Sequence, residues 1–378
     1  MKRGALIAAA AAWILATSLD AQAQEPILLG MSSPQTGGAA YLGQHQRWGA
    51  ELAIEEINGN GGVLGRPLEL RVQDNQCNPS QGAASAEQLL AVGKVVTIIG
   101  ALCSSATLSV MPILERAGIP LVVEASTSPK ITQLAGVGGN KWTFRINPSD
   151  AGLAVGLANY LAHLGTIKRI AFAGEDTDYG RGGQAALAAA LEPTGIEVSA
   201  GDFFAQGTQD FSSFLARMAA EKPDAIAVYL TADEPNFLRQ YRAADLGIPL
   251  SGRVEFSEPE QGILTSGALN GATSVYPYAL ELENVGNVEF VKQFEKKFKE
   301  KPNTQSYEAY TAAYVVADAI KRAGSADPAA IRDALETTDF KTILGDAIKF
   351  DDHHQAHGGA VILKVDGAKV VVDGFFGT

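Results

Sequence analysis

Short apolar segments typical of β-strands alternate with longer amphipathic segments typical of α-helices along nearly the whole chain of 378 residues. Such alternation predicts an α/β protein, with parallel sheets covered by helices on both faces. The predicted strands are Ile27–Met31, Leu68–Val72, Val95–Ile99, Ile119–Val123, Arg169–Ala173 and Asp224–Leu230. The predicted helices are Gly43–Asn58, one from an N-cap at Ser80 through Leu90, three that begin at Ser104, Asp150 and about Gly180, and Asn236–Asp245.

The alternation is interrupted at three places, which indicates two lobes that exchange the chain. The interruptions lie near Trp142–Asn147, Val275–Tyr278 and Asp346–Asp351. Because the chain is also longer than one core usually holds, two domains are expected. The predicted lobes are discontinuous and joined by a hinge, and they comprise residues 24–146 plus 276–350 and residues 147–275 plus 351–378.

The N-terminus has the three parts of a secretory signal peptide. Lys2 and Arg3 form a basic start, an apolar run extends over Ala5–Leu19, and Ala21-Gln22-Ala23 is an A-x-A cleavage site. We therefore expect residues 1–23 to be removed and the mature protein to act outside the cytoplasm. A retained N-terminal anchor is the alternative.

Composition excludes some partners and bears on the two cysteines. The formal net charge of −12 disfavours nucleic acid and anionic membranes as partners. Cys77 and Cys103 are expected to form a disulfide if the protein is exported, with two free thiols as the alternative. A redox pair is disfavoured because the C-x-x-C spacing is absent.

The sequence lacks the usual catalytic and cofactor motifs, including the P-loop, G-x-S-x-G, H-E-x-x-H and G-x-G-x-x-G patterns. We therefore predict a protein that is not an enzyme and has no cofactor or metal. His45 and His163 are each interpreted as a surface or packing residue. The segment from Asp351 to His357 has His353 and His357 at helical spacing, but it is interpreted as a solvated polar loop.

Small polar residues follow three of the predicted strands of the first lobe, where ligands bind in open α/β sheets. These segments are Gly100–Ser105, Ala125–Ser128 and Ser32–Gly43, with Tyr41 near the end of the last. Ser104 at a helix start, together with Ala125 and Thr127 on the next loop, can form a cradle of uncharged donors for a carboxylate. The alternative is that these residues only cap helices and satisfy turns.

Several segments in the same order resemble the periplasmic leucine/isoleucine/valine-binding proteins, the receptors of branched-chain amino-acid ABC importers. The segments are EEINGNGGVLGRPLEL (55–70), DNQCNP (74–79), GALCSS (100–105), ASTSP (125–129), EDTDYGRG (175–182) and FLRQYRAADLG (237–247). The resemblance implies a type I periplasmic-binding fold, in which two Rossmann-like lobes are joined by a three-strand hinge. It also implies a periplasmic location, a bridge between Cys77 and Cys103, a small-molecule ligand, an ABC permease partner and a monomer.

The resemblance further implies roles for individual residues. Ser104 matches the hydroxyl that binds the ligand carboxylate, and the loop of Ala125, Ser126 and Thr127 matches the one that holds the carboxylate and the amino group. Tyr179 matches an aromatic residue on the second lobe, and Glu255 lies where the family has an acid that faces the α-ammonium. These roles suit a zwitterion, whose buried charges need partners of both kinds.

The sequence departs from the family pattern in the expected side-chain pocket. Thr231-Ala232-Asp233 replaces a strand-end aromatic residue of the amino-acid binders, and Leu42 takes a second aromatic position, with Tyr41 beside it. Tyr41 and Thr231 are therefore further predicted ligand contacts. The implied ligand is a branched-chain or other apolar amino acid. The alternatives are an aromatic acid, a short amide or urea, or a sensor role with a signalling partner.

Overall fold

The structure is a computed structural model that describes residues 25–91, 93–256 and 261–377. The predicted signal peptide lies outside the described residues. The strands, numbered along the chain, are β1 Ile27–Ser33, β2 Leu68–Asp74, β3 Val95–Gly100, β4 Leu121–Val123, β5 Thr143–Arg145, β6 Arg169–Glu175, β7 Glu197–Val198, β8 Asp202–Phe204, β9 Ala225–Tyr229, β10 Leu250–Gly252, β11 Thr273–Tyr276, β12 Phe340–Lys341, β13 Ala347–Ile348, β14 Gly359–Asp366 and β15 Lys369–Gly377.

The helices are α1 Ala40–Gly59, α2 Pro79–Ala91, α3 Ser104–Ala117, α4 Lys130–Gln133, α5 Asp150–Leu164, α6 Asp178–Leu191, α7 Ser212–Glu221, α8 Glu234–Ala244, α9 Gln261–Thr265, α10 Val285–Phe298, α11 Thr304–Ala323 and α12 Pro328–Glu336, with a short 3-10 helix at Glu192–Thr194. Among the described residues, no helix has both the length and the apolar character needed to cross a membrane.

The first sheet has the strand order β2-β1-β3-β4-β5, and every neighbouring pair in it is parallel. All six residues of β3 are buried, which explains why its sequence is a continuous apolar run rather than an alternating one. Helices α1, α10, α11 and α12 pack on this sheet in one core cluster, and α2 and α3 contribute to a second. We call this sheet and its helices the first lobe.

The second lobe is built on a parallel sheet of order β10-β9-β6-β7, in which β8 also pairs with β6. An antiparallel sheet of order β11-β14-β15 lies beside it, and β14 contributes Val361, Leu363 and Val365 to the same hydrophobic core. Two parallel sheets with helices confirm the predicted α/β class.

The chain passes between the lobes three times, as the interruptions in the pattern predicted. The passages follow β5, β11 and β13, and residues from all three, including Asn147, Pro277 and Gly358, line one small cavity. Arg145 of β5 also forms an isolated parallel bridge with Gln355 of the third passage. The exact lobe boundaries stay predictions.

Two sequence interpretations are corrected by the structure. The side chain of Asn78, not Ser80, caps α2: its Oδ1 accepts the N–H groups of Ser80 at 2.9 Å and Gln81 at 3.3 Å. The segment from Asp351 to His357 is not wholly solvated, because it forms the third passage and packs against β5. His354 is buried there and stacks on Phe144, with ring centroids 4.1 Å apart.

Other local predictions are confirmed. His45 is a packing residue with no exposed surface, and His163 is exposed near the end of α5. Cys77 and Cys103 form a disulfide with a Cα–Cα distance of 5.3 Å, which joins the loops that follow β2 and β3. The disulfide therefore ties the ends of β2 and β3, which lie on either side of β1, at the edge of the first sheet that faces the second lobe.

Candidate functional site

A cavity lies where the carboxyl ends of the two parallel sheets face each other. It contains about 600 Å³ of space outside the protein atoms, part of it open to solvent. The described residues that line it are Leu42, Cys77, Leu102, Cys103, Ser104, Ser105, Ala125, Thr127, Glu175, Thr177, Tyr179, Gln206, Leu230, Thr231, Glu234, Arg253, Glu255, Tyr276 and Gln305. This is the place at which open α/β sheets bind ligands.

The first-lobe face of the cavity offers uncharged hydrogen-bonding groups at the start of α3. Ser104 is the first residue of this helix and is buried, and its Oγ accepts the backbone N–H of Ser128 at 3.2 Å. Because that bond uses the oxygen as acceptor, the hydroxyl proton remains to be donated. The N-cap residue, Cys103, supplies no capping side-chain bond, so the N-terminus of α3 faces the cavity uncapped.

The next loop contributes one side chain to the cavity that can accept a hydrogen bond. Thr127 donates its hydroxyl to Oδ2 of Asp150 at 2.8 Å, and its carbonyl accepts the Asp150 N–H at 2.8 Å. The Thr127 hydroxyl oxygen is therefore left as an acceptor, which suits an ammonium group. Ala125 also lines the cavity.

The second-lobe face is charged, and Arg253 is its cation. Arg253 follows β10, is only 6% exposed, and lies 4.3 Å from the centre of the Tyr276 ring. Its Nη1 is 3.8 Å from Oδ1 of buried Asp150. Within the described part of the chain, neither Nε nor Nη1 of Arg253 has a hydrogen-bond partner. A buried guanidinium whose N–H groups lack acceptors favours the binding of an anion in the cavity.

The carboxylates of this face are Glu175, Glu234 and Glu255. Oε1 of Glu234 accepts the backbone N–H of Glu255 at 2.8 Å, which ties the start of α8 to the segment after β10. Tyr179 lies on α6 beside Tyr229, with ring centroids 5.8 Å apart. Burial holds the pKa of the Tyr179 hydroxyl well above its ordinary value, so the phenol is neutral at physiological pH.

Glu175, at the end of β6, is a buried carboxylate held by several donors. Its Oε1 accepts from the Thr177 hydroxyl at 3.0 Å and the Gln206 amide at 3.2 Å, and its Oε2 accepts the Thr231 N–H at 3.2 Å. Burial raises the pKa of Glu175 above its ordinary value, and these hydrogen bonds offset only part of that rise. Its side-chain partners and the backbone N–H all donate, so both carboxyl oxygens of Glu175 act as acceptors.

The two lobes are in contact around the cavity. The Ser105 hydroxyl donates to Asp178 of α6 at 2.9 Å, and Lys130 lies 3.2 Å from the same carboxylate. Gln206 donates to the carbonyl of Cys77 at 3.3 Å. These contacts join the first and second lobes on either side of the lining residues, so the structure has the closed arrangement.

The cavity brings together six of the predicted ligand contacts: Ser104, Ala125, Thr127, Tyr179, Thr231 and Glu255. Ser126 is not among the lining residues, because its hydroxyl donates to the Leu102 carbonyl at 2.8 Å and lies 2.6 Å from that of Thr107, inside the first lobe. Tyr41 is also absent from the described lining, where Leu42 takes its place, and the Tyr41 ring lies 4.5 Å from that of His45.

Sequence reasoning missed Arg253, Glu175, Glu234, Gln206 and Gln305. The rule that ligands bind after strand ends could have identified Glu175, the last residue of β6, and Arg253, directly after β10. Gln305 is the second residue of α11, which is distant in sequence from the other lining residues. No local pattern marks it as a site residue.

Comparison with known proteins gives consistent matches over nearly the whole chain. A family model described as periplasmic binding protein matches residues 26–369. A leucine-, isoleucine-, valine-, threonine- and alanine-binding protein of Pseudomonas aeruginosa is 29% identical over 87% of this chain and 87% of its own length. The leucine-specific-binding protein of Salmonella typhimurium is 27% identical over 98% of this chain and 100% of its own length.

A solved structure has the same architecture. A leucine-binding protein of Thermotoga maritima superposes with a TM-score of 0.81 and 26% identity, over 93% of this chain and 99% of that one.

Proposed function

Because the chain belongs to the periplasmic binding protein family, we propose that it is the extracytoplasmic receptor of an ABC importer of the branched-chain amino-acid type. Its relatives are binding proteins for amino acids, not enzymes. In this proposal the protein works in the periplasm as a monomer, after cleavage near Ala23. It delivers its ligand to an inner-membrane permease.

The proposed ligand is a small amino-acid-type carboxylate bound between the lobes. One observation supports this proposal above all: an uncharged face of the first lobe lies opposite a charged face of the second lobe across one cavity. Ser104 and the uncapped start of α3 offer donors to a carboxylate, and Arg253 offers a cation from the opposite lobe. Glu255 and the Thr127 hydroxyl oxygen then serve as acceptors for the α-ammonium.

When a ligand binds to both lobes at once, its binding is coupled to closure of the hinge. A ligand shifts an open–closed equilibrium only if it binds one state more tightly. Since the carboxylate donors and Arg253 lie on different lobes, both can contact one small ligand only in the closed arrangement. The closed, liganded form is the one we propose to dock on the permease.

The first experiment is a thermal-shift panel on protein that has been unfolded and refolded to strip bound ligand. The panel contains leucine, isoleucine, valine, phenylalanine, benzoate-type acids, short amides and urea. A ligand at a hundred times its Kd stabilises the protein by about 2.7 kcal/mol, which raises Tm measurably. We expect shifts with α-amino acids. Shifts with aromatic acids or amides alone would retain the receptor role and remove the ammonium site.

Glu255→Gln tests the ammonium site directly. A charge-assisted hydrogen bond at a buried site is worth about 1.5–3 kcal/mol, so an α-amino acid should bind more than tenfold more weakly. The binding of a plain carboxylate should not weaken. An unchanged Kd for the amino acid would contradict the assignment of Glu255.

A further inference from the structure

The two ends of the cavity can be told apart from the strand orders and the contacts between lobes. Thr127 follows β4, and it meets Arg253 through Asp150. Cys77 follows β2, at the opposite side of the first sheet, and its carbonyl accepts from Gln206, which follows β8. We call the Thr127–Arg253 side the head end and the Cys77–Gln206 side the far end.

The far end is polar where an apolar side chain would need an apolar wall. Glu175 bonds Gln206 and the N–H of Thr231, so its carboxylate lies at this end and lines the cavity. The donors to Glu175 offset part of the cost of burying its carboxylate, and an apolar ligand would offset none of the remainder. Leu42, Leu102, Leu230 and the disulfide are apolar groups that line the cavity.

A second, independent observation concerns a buried side-chain oxygen at the cavity that accepts no hydrogen bond from the described residues. Gln305, the second residue of α11, is only 8% exposed, and its Oε1 has no hydrogen-bond partner in the described part of the chain. The neighbouring Ser306 lies 3.0 Å from His45 of α1, which places Gln305 beside the helix that supplies Leu42. A buried acceptor that lines a cavity suits an N–H group of a ligand.

We propose that the far end binds a cationic nitrogen group, so that the ligand is an amino acid with an amine or guanidinium side chain. The inference rests on the proposed function and adds the class of side chain. Glu175 supplies the charge, and the Gln305 carbonyl supplies a neutral acceptor. The charge of the described lining supports this class, because three carboxylates face one guanidinium and a neutral zwitterion leaves that excess unbalanced.

The test compares ligands of nearly equal shape and different charge. Isothermal titration of stripped protein with L-arginine and L-citrulline separates charge from size, and L-norleucine reports on an apolar side chain. L-lysine and L-ornithine show whether an amine serves as well as a guanidinium. We expect L-arginine or L-lysine to bind at least tenfold more tightly than both L-citrulline and L-norleucine.

Glu175→Gln then tests whether this carboxylate causes the preference for a cationic side chain. The substitution keeps the shape of the side chain and removes its charge, so the ratio of the citrulline Kd to the arginine Kd should fall at least tenfold. A merely structural role for Glu175 would weaken both ligands equally and leave that ratio unchanged. Glu289→Gln is the matched control, since Glu289 lies exposed on α10 beside Lys292, and it should not alter the ratio.

The outcomes separate this inference from the proposed function. Binding of L-norleucine or L-leucine as tight as that of every cationic amino acid would overturn the inference and leave the receptor role standing. A ratio unchanged in Glu175→Gln would also overturn it. If no amino acid of either kind bound, both the inference and the amino-acid part of the proposed function would fail.

Discussion

In the proposed receptor, the first-lobe and second-lobe faces of the cavity offer a ligand different chemistry. The first-lobe face uses a helix start, a serine hydroxyl and a threonine oxygen, all of them uncharged. The second-lobe face uses Arg253 and three carboxylates. The first face depends on backbone placed by strand ends, whereas the second depends on side chains whose charges need partners.

In the proposed receptor, this difference would make one site both preformed and selective. Hydrogen bonds from Ser104 and the start of α3 are held in place by the first lobe alone, so they suit any carboxylate. The charges of the second lobe reach the ligand only when the lobes meet. Charge-assisted bonds are roughly twice as strong as neutral ones, so we expect the second face to decide which ligand closes the cleft.

The largest expected effect comes from removing the cation of the charged face. Arg253→Met leaves the Asp150 carboxylate buried without its ion-pair partner, and breaking such a pair costs about 3–5 kcal/mol of the free energy of unfolding. Affinity for a carboxylate ligand should also fall, by about tenfold to a hundredfold. Urea unfolding and titration calorimetry measure the two effects.

The double variant Arg253→Met/Asp150→Asn separates stability from binding. Asp150→Asn removes the carboxylate that Arg253→Met leaves without its ion-pair partner, so most of the lost stability should return. The affinity should stay low, because the ligand anion still lacks its cation. Recovery of full affinity in the double variant would contradict a direct role for Arg253.

The second prediction concerns the carboxyl directly behind the uncharged face. Glu124 is fully buried next to Gln46, and burial raises its pKa from 4.5 to about 7. Because its pKa is higher in the folded state, the unfolded chain releases this proton first as pH rises. Stability from this group is therefore undiminished below pH 4.5 and falls by about 3 kcal/mol as pH rises to about 7.

Glu124→Gln should remove that pH dependence. We expect the free energy of unfolding of the variant, relative to the wild type, to increase by about 3 kcal/mol between pH 4.5 and pH 8. Urea unfolding at several pH values measures this difference. If the free energies of unfolding of the variant and the wild type differed by the same amount at every pH, Glu124 would be ionised in the folded protein. The first-lobe face would then have a charged carboxylate directly behind it.

The smallest effect is expected from the uncharged face itself. Ser104→Ala removes one neutral donor, worth about 0.5–1.5 kcal/mol, so a carboxylate ligand should bind about twofold to tenfold more weakly. Ser126→Ala is the matched control on the next loop. It should leave the Kd unchanged and lower stability by about 1–3 kcal/mol, because the Leu102 carbonyl loses the Ser126 donor and the Thr107 hydroxyl loses one of its buried partners. If Ser126→Ala weakened binding and Ser104→Ala did not, Ser126 rather than Ser104 would be the ligand contact.

Much of the first face could be predicted from local sequence, and most of the second could not. Ser104 follows an apolar strand and opens a helix, and both features are visible in the residues themselves. Ser126 and Thr127 are neighbours on one loop, yet only Thr127 lines the cavity. Sequence places both residues on the loop, but the direction of each side chain depends on the turn and on partners such as Thr107 and Asp150.

The sequence by itself determined the alternating elements and the three passages of the chain, because apolar periodicity is a local property, and it indicated the cysteine pair because an exported chain with only two cysteines is expected to join them. Only the tertiary structure decided that Arg253, Glu175 and Gln305 share one cavity with Ser104. These residues come from distant segments and meet because two separate sheets point their carboxyl ends at each other. The partners of these buried charges, such as Asp150 for Arg253 and Gln206 for Glu175, lie far away in sequence, so no single segment contains both members of a pair.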